Sequence, residues 1–150
     1  MVRRMARGAA LAALMALASG CSDTITTPTT TPVQTTDTFN GTLTPANSNV
    51  HSFITLTGGR VTATLTSVGP DSAQTVGFSL GTYNSTTGIC TVVFDNPAAL
   101  QTTAQFNATA STLGFYCVRV YDNGSVKTLT DAGTVTGDNP FTYTITVSHP

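Results

Sequence analysis

Strict alternation of apolar and polar residues constrains the fold of this chain more than any other feature. In residues 141–147 the apolar positions are Phe141, Tyr143, Ile145 and Val147, with threonine at every position between them. Residues 60–66 alternate in the same way. A period of two places one set of side chains in a core and the other in water, so both segments are predicted to be half-buried β-strands.

The composition supports an all-β chain and excludes a nucleic-acid partner. Among 150 residues there are 32 threonines, no glutamate and one lysine, Lys127, which leaves few of the residues that favour exposed helices. Six cations and seven aspartates give a net charge of −1. Such a chain lacks the basic surface that neutralises phosphates, so we expect no nucleic acid among its partners.

Short strand patterns separated by turn signals continue along residues 39–150. Further strands are predicted at residues 39–43, 51–57, 75–83, 89–94, 102–109, 115–121 and 125–129, with turns at 58–59, 69–71, 84–88, 95–97, 122–124 and 137–140. Strands at this spacing predict an all-β fold, a single jelly-roll-like antiparallel β-sandwich of about eight strands. A closed barrel is the alternative.

The first 20 residues have the pattern of an export signal. Arg3, Arg4 and Arg7 precede an apolar run at residues 9–18, which is followed by Ser19 and Gly20. The run is well short of the roughly 20 residues that a transmembrane helix requires. Residues 1–20 are therefore predicted to be a lipoprotein signal peptide.

The cleavage region, residues 17–21, resembles a bacterial lipobox, in which the cysteine receives a diacylglyceryl group. The resemblance implies a covalent lipid on Cys21 and a membrane partner through that anchor, since two or more acyl chains anchor a protein stably. Leu17 lies one place earlier than the pattern prefers, and an ordinary secreted protein is the alternative. Ser22 follows the cysteine, which favours the outer membrane if the source is Gram-negative. The predicted location is the cell envelope.

Residues 21–38 are predicted to be a tether. Residues 22–38 contain nine threonines and two prolines, Pro28 and Pro32, and almost nothing to bury. Such a segment cannot offset its conformational entropy by packing.

The order of strand motifs resembles the bacterial pre-peptidase C-terminal domain. The resemblance rests on residues 39–43, 51–65 and 78–80, on the segment 114–120 (GFYCVRV), and on 143–147. It implies a compact, non-catalytic β-sandwich. Some members carry acidic residues that assist calcium binding, but Asn47, Asn49, His51, Gln74 and Thr75 stand at those places here, so calcium is possible but unsupported.

The remaining cysteines, Cys90 and Cys117, are an even pair in an exported chain and are predicted to form a disulfide. They lack the Cys-x-x-Cys spacing that is typical of a redox pair.

No catalytic or metal site is predicted. Residues 77–81 match Gly-x-Ser-x-Gly, but they lie in a strand pattern without the following helix that a nucleophile elbow requires. The aspartates of the domain, at positions 71, 95, 122, 131 and 138, all fall in predicted turns. A calcium site at Asp131 and Asp138 would need six to eight oxygens, and no Asp-x-Asp-x-Asp run is present.

Phe115, Arg119 and Tyr121 form a possible binding patch, because alternation places them on one face of a strand if Tyr116, Val118 and Val120 face the core. Aromatic residues beside an arginine are typical of recognition surfaces. The alternative is that the Cys90–Cys117 bridge and loops cover this face.

The leading hypothesis is a membrane-anchored cell-envelope lipoprotein whose β-sandwich is a non-catalytic binding or structural module. Its possible partners are another envelope protein or a polysaccharide. The alternative is a carbohydrate- or calcium-dependent binding module, and an envelope hydrolase ranks last.

Overall fold

The computed structural model describes residues 31–126 and 141–150, and every regular element in them is a β-strand. The strands are β1 (Thr35–Leu43), β2 (Ser48–Thr55), β3 (Gly59–Gly69), β4 (Val76–Asn84), β5 (Ile89–Ala99), β6 (Gln105–Ala110), β7 (Gly114–Tyr121) and β8 (Phe141–His149). The predicted signal peptide, Cys21 and most of the predicted tether lie outside the described residues. So does most of the strand predicted at 125–129, and Ser125 and Val126 are not in a strand.

The strands form two antiparallel sheets with the connectivity of a jelly roll. Sheet I has the order β1-β8-β3-β6 and sheet II the order β2-β7-β4-β5. The pairs β1–β8, β2–β7, β3–β6 and β4–β5 are those made when one long hairpin wraps around a core. The predicted fold class is confirmed.

Alternation along the strands fills the space between the sheets. In β8 the side chains of Phe141, Tyr143, Ile145 and Val147 are all buried, while the threonines between them face outward. Sheet II supplies Phe78 and Val118, both fully buried. Burying an apolar side chain of this size contributes roughly 1.5–3 kcal/mol, so the inward faces supply most of the stability.

Several strand boundaries differ from the sequence-based expectation, and two of the differences have a clear physical reason. β1 begins at Thr35, four residues before the predicted start of the domain at residue 39, because its ladder with β8 continues to the pair Thr35 and His149. The buried His149 also contacts the Asp37 carboxylate, at 3.1 Å. The turn predicted at residues 95–97 is wrong: β5 runs through it. Pro97 is accommodated because β5 is an edge strand.

The Asp122 side chain connects the loop between β1 and β2 to the end of β7 by hydrogen bonds. Its carboxylate accepts hydrogen bonds from the N–H groups of Ala46 (2.8 Å), Gly124 (2.7 Å) and Val126 (3.0 Å). Partial burial acts to raise the pKa of Asp122, but these hydrogen bonds together hold it below its ordinary value.

Replacing this carboxylate is expected to loosen that end of the sandwich. Asp122→Ala leaves three backbone donors without their charged acceptor and should lower the free energy of unfolding by about 2 kcal/mol in urea denaturation at pH 7. Asp71 accepts one such bond, from Ala73, so Asp71→Ala is the matched control and should cost less than about 1 kcal/mol. Equal losses would contradict the anchoring role of Asp122.

Candidate functional site

The outward face of sheet I is polar and nearly free of charge. Alternation places threonine, serine, asparagine or glutamine at its outward positions, with Arg60 as the exception. Rows of these side chains cross the strands, as in Thr38, Thr146, Thr64 and Gln105. Several bond to one another, for example Thr144 to Asn40 at 2.8 Å. This face offers neither an apolar nor an aromatic anchor.

The outward face of sheet II is different, because β7 contributes Phe115, Cys117, Arg119 and Tyr121 to it. The inward positions Val118 and Val120 are fully buried. The structure therefore places Phe115, Arg119 and Tyr121 on the predicted common face.

Arg119 and Tyr121 belong to one connected group with Ser79 and Asp95. The guanidinium carbon of Arg119 lies 4.6 Å from the centroid of the Tyr121 ring. The Tyr121 hydroxyl donates to the Asp95 carboxylate at 2.9 Å, and the Ser79 hydroxyl donates to the same group at 2.7 Å. Burial, the hydrogen bond to Asp95 and its charge raise the pKa of Tyr121.

Within this group the Arg119 guanidinium retains hydrogen-bond donors that its neighbours do not use. Its Nε atom is shielded from solvent and makes no hydrogen bond. In residues 31–126 and 141–150, no carboxylate lies within 4.0 Å of the Arg119 nitrogens. Among these residues the charge of Arg119 is compensated by the Tyr121 ring and not by an ion pair. The guanidinium can therefore bind an anionic partner.

Phe115 is separated from Arg119 by the Cys90–Cys117 disulfide. Cys117 lies between them on β7 and is fully buried, with its sulfur bonded to that of Cys90. Phe115 is instead paired with Ile54 of β2, and it is 49% exposed. The predicted patch therefore consists of two parts, an Arg119–Tyr121 group and an apolar part around Phe115.

The Gly-x-Ser-x-Gly motif has a structural explanation. A side chain at position 77 would collide with the Tyr121 ring, and one at position 81 with the Thr91 carbonyl. Ser79 is fully buried within β4 and donates to a carboxylate. Both histidines of the chain make their side-chain contacts elsewhere, His51 with Tyr143 and His149 with Asp37. The nucleophile–base pair of a serine hydrolase is not formed.

Asp95 and Ser79 are members of the group that the sequence did not reveal. The sequence pattern predicts a turn at Asp95 because Asn and Pro follow it, whereas Asp95 lies in β5 opposite Ser79. A polar serine in an otherwise buried strand is the sequence feature that could have predicted a hydrogen-bond partner across the sheet.

A mainly apolar cleft opens between the edge strands β5 and β6. Its volume is about 260 Å³, and its mouth carries Val93 and Phe94, which are 62% and 42% exposed. Phe94 lies 6.0 Å from Phe106 of β6, measured between ring centroids. Its lining combines core side chains such as Val61 and Leu80 with the polar residues Thr82, Thr109 and Ser111.

At the opposite edge, His51 lies between the sheets. Its ring stacks on Phe39 with 5.0 Å between centroids, and its Nε2 lies 2.8 Å from the Tyr143 hydroxyl. Burial lowers the pKa of His51 because it disfavours the charged imidazolium, and burial raises the pKa of Tyr143.

His51 is expected to make stability depend on pH. The unfolded chain takes up a proton near the ordinary pKa of 6.5, whereas folded His51 resists protonation, so its stabilisation is complete above pH 6.5 and is lost as the pH falls below it. The free energy of unfolding should therefore decrease from pH 7 to pH 5, and His51→Gln should flatten that slope. An unchanged slope in His51→Gln would contradict this role.

In the described part of the chain no three metal-ligating side chains form a cluster. Asp131 and Asp138, the calcium candidates from the sequence, lie outside that part. Within residues 31–126 and 141–150 no helix has the length and apolarity needed to cross a membrane.

No family model and no curated protein matches the chain, so the resemblance to the pre-peptidase C-terminal domain stays a prediction. Among solved structures, the chain is similar to PliG of Aeromonas hydrophila, a periplasmic inhibitor of g-type lysozyme. The match has a TM-score of 0.44 and 16% identity, and it covers 75% of this chain and 85% of that one. The likeness is too distant to transfer that protein's ligand to this chain.

Proposed function

We propose that this chain is a lipid-anchored, non-catalytic binding module of the cell envelope. Cys21 carries the lipid, residues 22–34 form the tether, and the jelly roll is the working domain. Its partner is another envelope protein, which docks on the outward face of sheet II at Arg119 and Val50.

The single observation that supports a binding role is that Arg119 has no ion-pair partner among the described residues. Its neighbours Ser79, Asp95 and Tyr121 satisfy one another by hydrogen bonds, while the guanidinium has no carboxylate within 4.0 Å among the described residues. Arginine held over a tyrosine ring loses little conformational freedom when it binds, and arginine and tyrosine are both enriched at the centres of protein interfaces.

The surroundings of Arg119 favour a protein partner. Val50 lies directly opposite it on β2 and is 40% exposed, so an apolar contact adjoins the cation. Sheet I offers a threonine-rich surface, on which several side chains bond to each other. The partner surface that fits the sheet II face therefore presents a carboxylate beside an apolar side chain.

Site-specific photocrosslinking in cells tests the binding face. A photoreactive Val50→p-benzoylphenylalanine variant of the full-length chain should give discrete protein adducts, and Thr142→p-benzoylphenylalanine, on the exposed face of sheet I, should give none. Adding Arg119→Gln to the first variant should reduce its adducts at least tenfold. Equal adducts from both faces, or adducts indifferent to Arg119→Gln, would refute the proposed interface.

Anchoring and the carbohydrate or calcium alternative have separate tests. Mass spectrometry of the mature N-terminus should show a lipidated Cys21, and an unmodified terminus would refute the anchor. Ligands that bind only the folded state raise its melting temperature. A thermal shift with calcium or with a member of a glycan panel would favour the alternative module.

A further inference from the structure

Several of the most exposed apolar side chains of the domain lie at one end of the sandwich. Leu56, Ile89, Leu113 and Phe115, which we call the tether-end group, are 69%, 59%, 62% and 49% exposed. They come from the loop after β2, the start of β5 and the β6–β7 connection with the beginning of β7. Large apolar side chains that are grouped on an exposed surface are typical of an interaction site.

This end is also where the tether enters. β1 starts at Thr35, which pairs with His149, the last residue of β8. The Leu56 N–H donates to the carbonyl of Pro150 at 3.2 Å, and the Thr55 hydroxyl donates to the Thr112 carbonyl. The loops that carry Leu56 and Leu113 therefore adjoin the point at which the chain from Cys21 reaches the domain.

The length of the intervening chain limits how far this end can lie from Cys21. Thr35 follows Cys21 by 14 residues, which span at most about 50 Å when fully extended. A lipid on Cys21 would keep the tether-end group within that distance of the bilayer. Confinement of this kind corresponds to an effective concentration near the millimolar range, at which weak insertion of a few side chains is sufficient for docking.

The distribution of charge fits the same orientation. Arg60, at the start of β3, is exposed at the tether end, and Asp37, the carboxylate side chain that the described residues place at that end, contacts His149. Asp71 and Asp122 lie in loops at the opposite end, beyond Gly69 of β3 and Tyr121 of β7. An anionic lipid surface therefore meets a cation and apolar side chains at the tether end, while those two acidic groups are far from it.

We propose that the tether-end group docks the domain onto the surface of the bilayer that holds its lipid, with Leu56, Leu113 and Phe115 inserted at the headgroup level. This inference rests on the proposed lipid anchor. The domain then stands upright on the membrane, with Arg119 and Tyr121 raised above the lipid surface and accessible to a protein partner.

The chain contains no tryptophan, so a single introduced tryptophan reports its own environment. Leu113→Trp and Val93→Trp probe positions of equal exposure, 62% each, the first in the tether-end group and the second at the β5–β6 cleft. The full-length lipidated protein is incorporated into vesicles of phosphatidylethanolamine and phosphatidylglycerol (3:1) that contain brominated lipid. Fluorescence of the Leu113→Trp variant should be quenched at least threefold more strongly than that of Val93→Trp.

A second variant tests the contribution of the other loop. Adding Leu56→Asp to Leu113→Trp should reduce the quenching to the level of Val93→Trp, whereas adding Thr142→Asp, on the sheet I face, should leave it unchanged. Equal quenching of the two tryptophan variants, or no quenching of either, would overturn the docking inference even if mass spectrometry shows lipid on Cys21. If the lipid is absent, the anchor fails, and the same variants with added vesicles decide whether the tether end binds lipid by itself.

Discussion

Removing the Cys90–Cys117 disulfide is expected to lower the free energy of unfolding by about 3.5 kcal/mol, because the bridge closes a loop of 27 residues whose entropy the unfolded chain otherwise regains. The bridge also joins β7 to the edge strand β5 across β4, and Cys117 is fully buried. The change is Cys90→Ala with Cys117→Ala, measured by urea denaturation.

The double variant avoids the free thiol that either single variant would leave. Cys21→Ala in both proteins removes the third cysteine from the comparison. Reduction of the parent with a thiol reagent should reproduce the loss. An unchanged urea midpoint would mean that the β4–β5 and β4–β7 ladders alone hold this part of sheet II.

Gly81→Ala is expected to cost about 3 kcal/mol, since a Cβ atom at this position collides with the backbone carbonyl of Thr91. The register of the β4–β5 ladder shifts between Leu80 and Gly81. At this shift the backbone of β5 lies where a Cβ atom of residue 81 would be. A backbone atom cannot rotate away as a side chain can. The strain should therefore appear in the urea midpoint and in local hydrogen exchange of β5.

Gly114→Ala is the matched control for this substitution. The nearest atom to its added Cβ would be Cε2 of Tyr116, at 3.2 Å, which a small shift of the ring relieves. Its cost should stay below about 1 kcal/mol. Similar losses at both positions would show that the close approach of the β5 backbone does not require glycine at position 81.

The architecture was predictable because its main determinant is local. β8 and β3 are strands wherever they lie in the fold, since threonine alternates with apolar residues over their length. The disulfide followed from the count of cysteines. The turn that the sequence predicts at Asp95 is wrong because the Asn-Pro signal after it is also local, and only the edge position of β5 shows that a proline can be accommodated there.

The site could be predicted only in part. Alternation placed Phe115, Arg119 and Tyr121 on one face of β7, but it did not reveal that the disulfide divides them or that Asp95 and Ser79 complete the Arg119–Tyr121 group. No sequence repeat predicts the polar outward face of sheet I, because the rows of polar side chains on it come from strands that are distant in sequence.

By itself, the sequence determined which residues alternate between core and solvent, that the chain is all-β, and which cysteines pair. Only the tertiary structure decided which residues of different strands become neighbours, because jelly-roll wrapping joins β1 to β8 and β2 to β7 across most of the chain. The same wrapping gathers Leu56, Ile89, Leu113 and Phe115 at the end where the tether enters. Side-chain period is a property of a single strand, whereas a surface is a property of strands brought together by pairing.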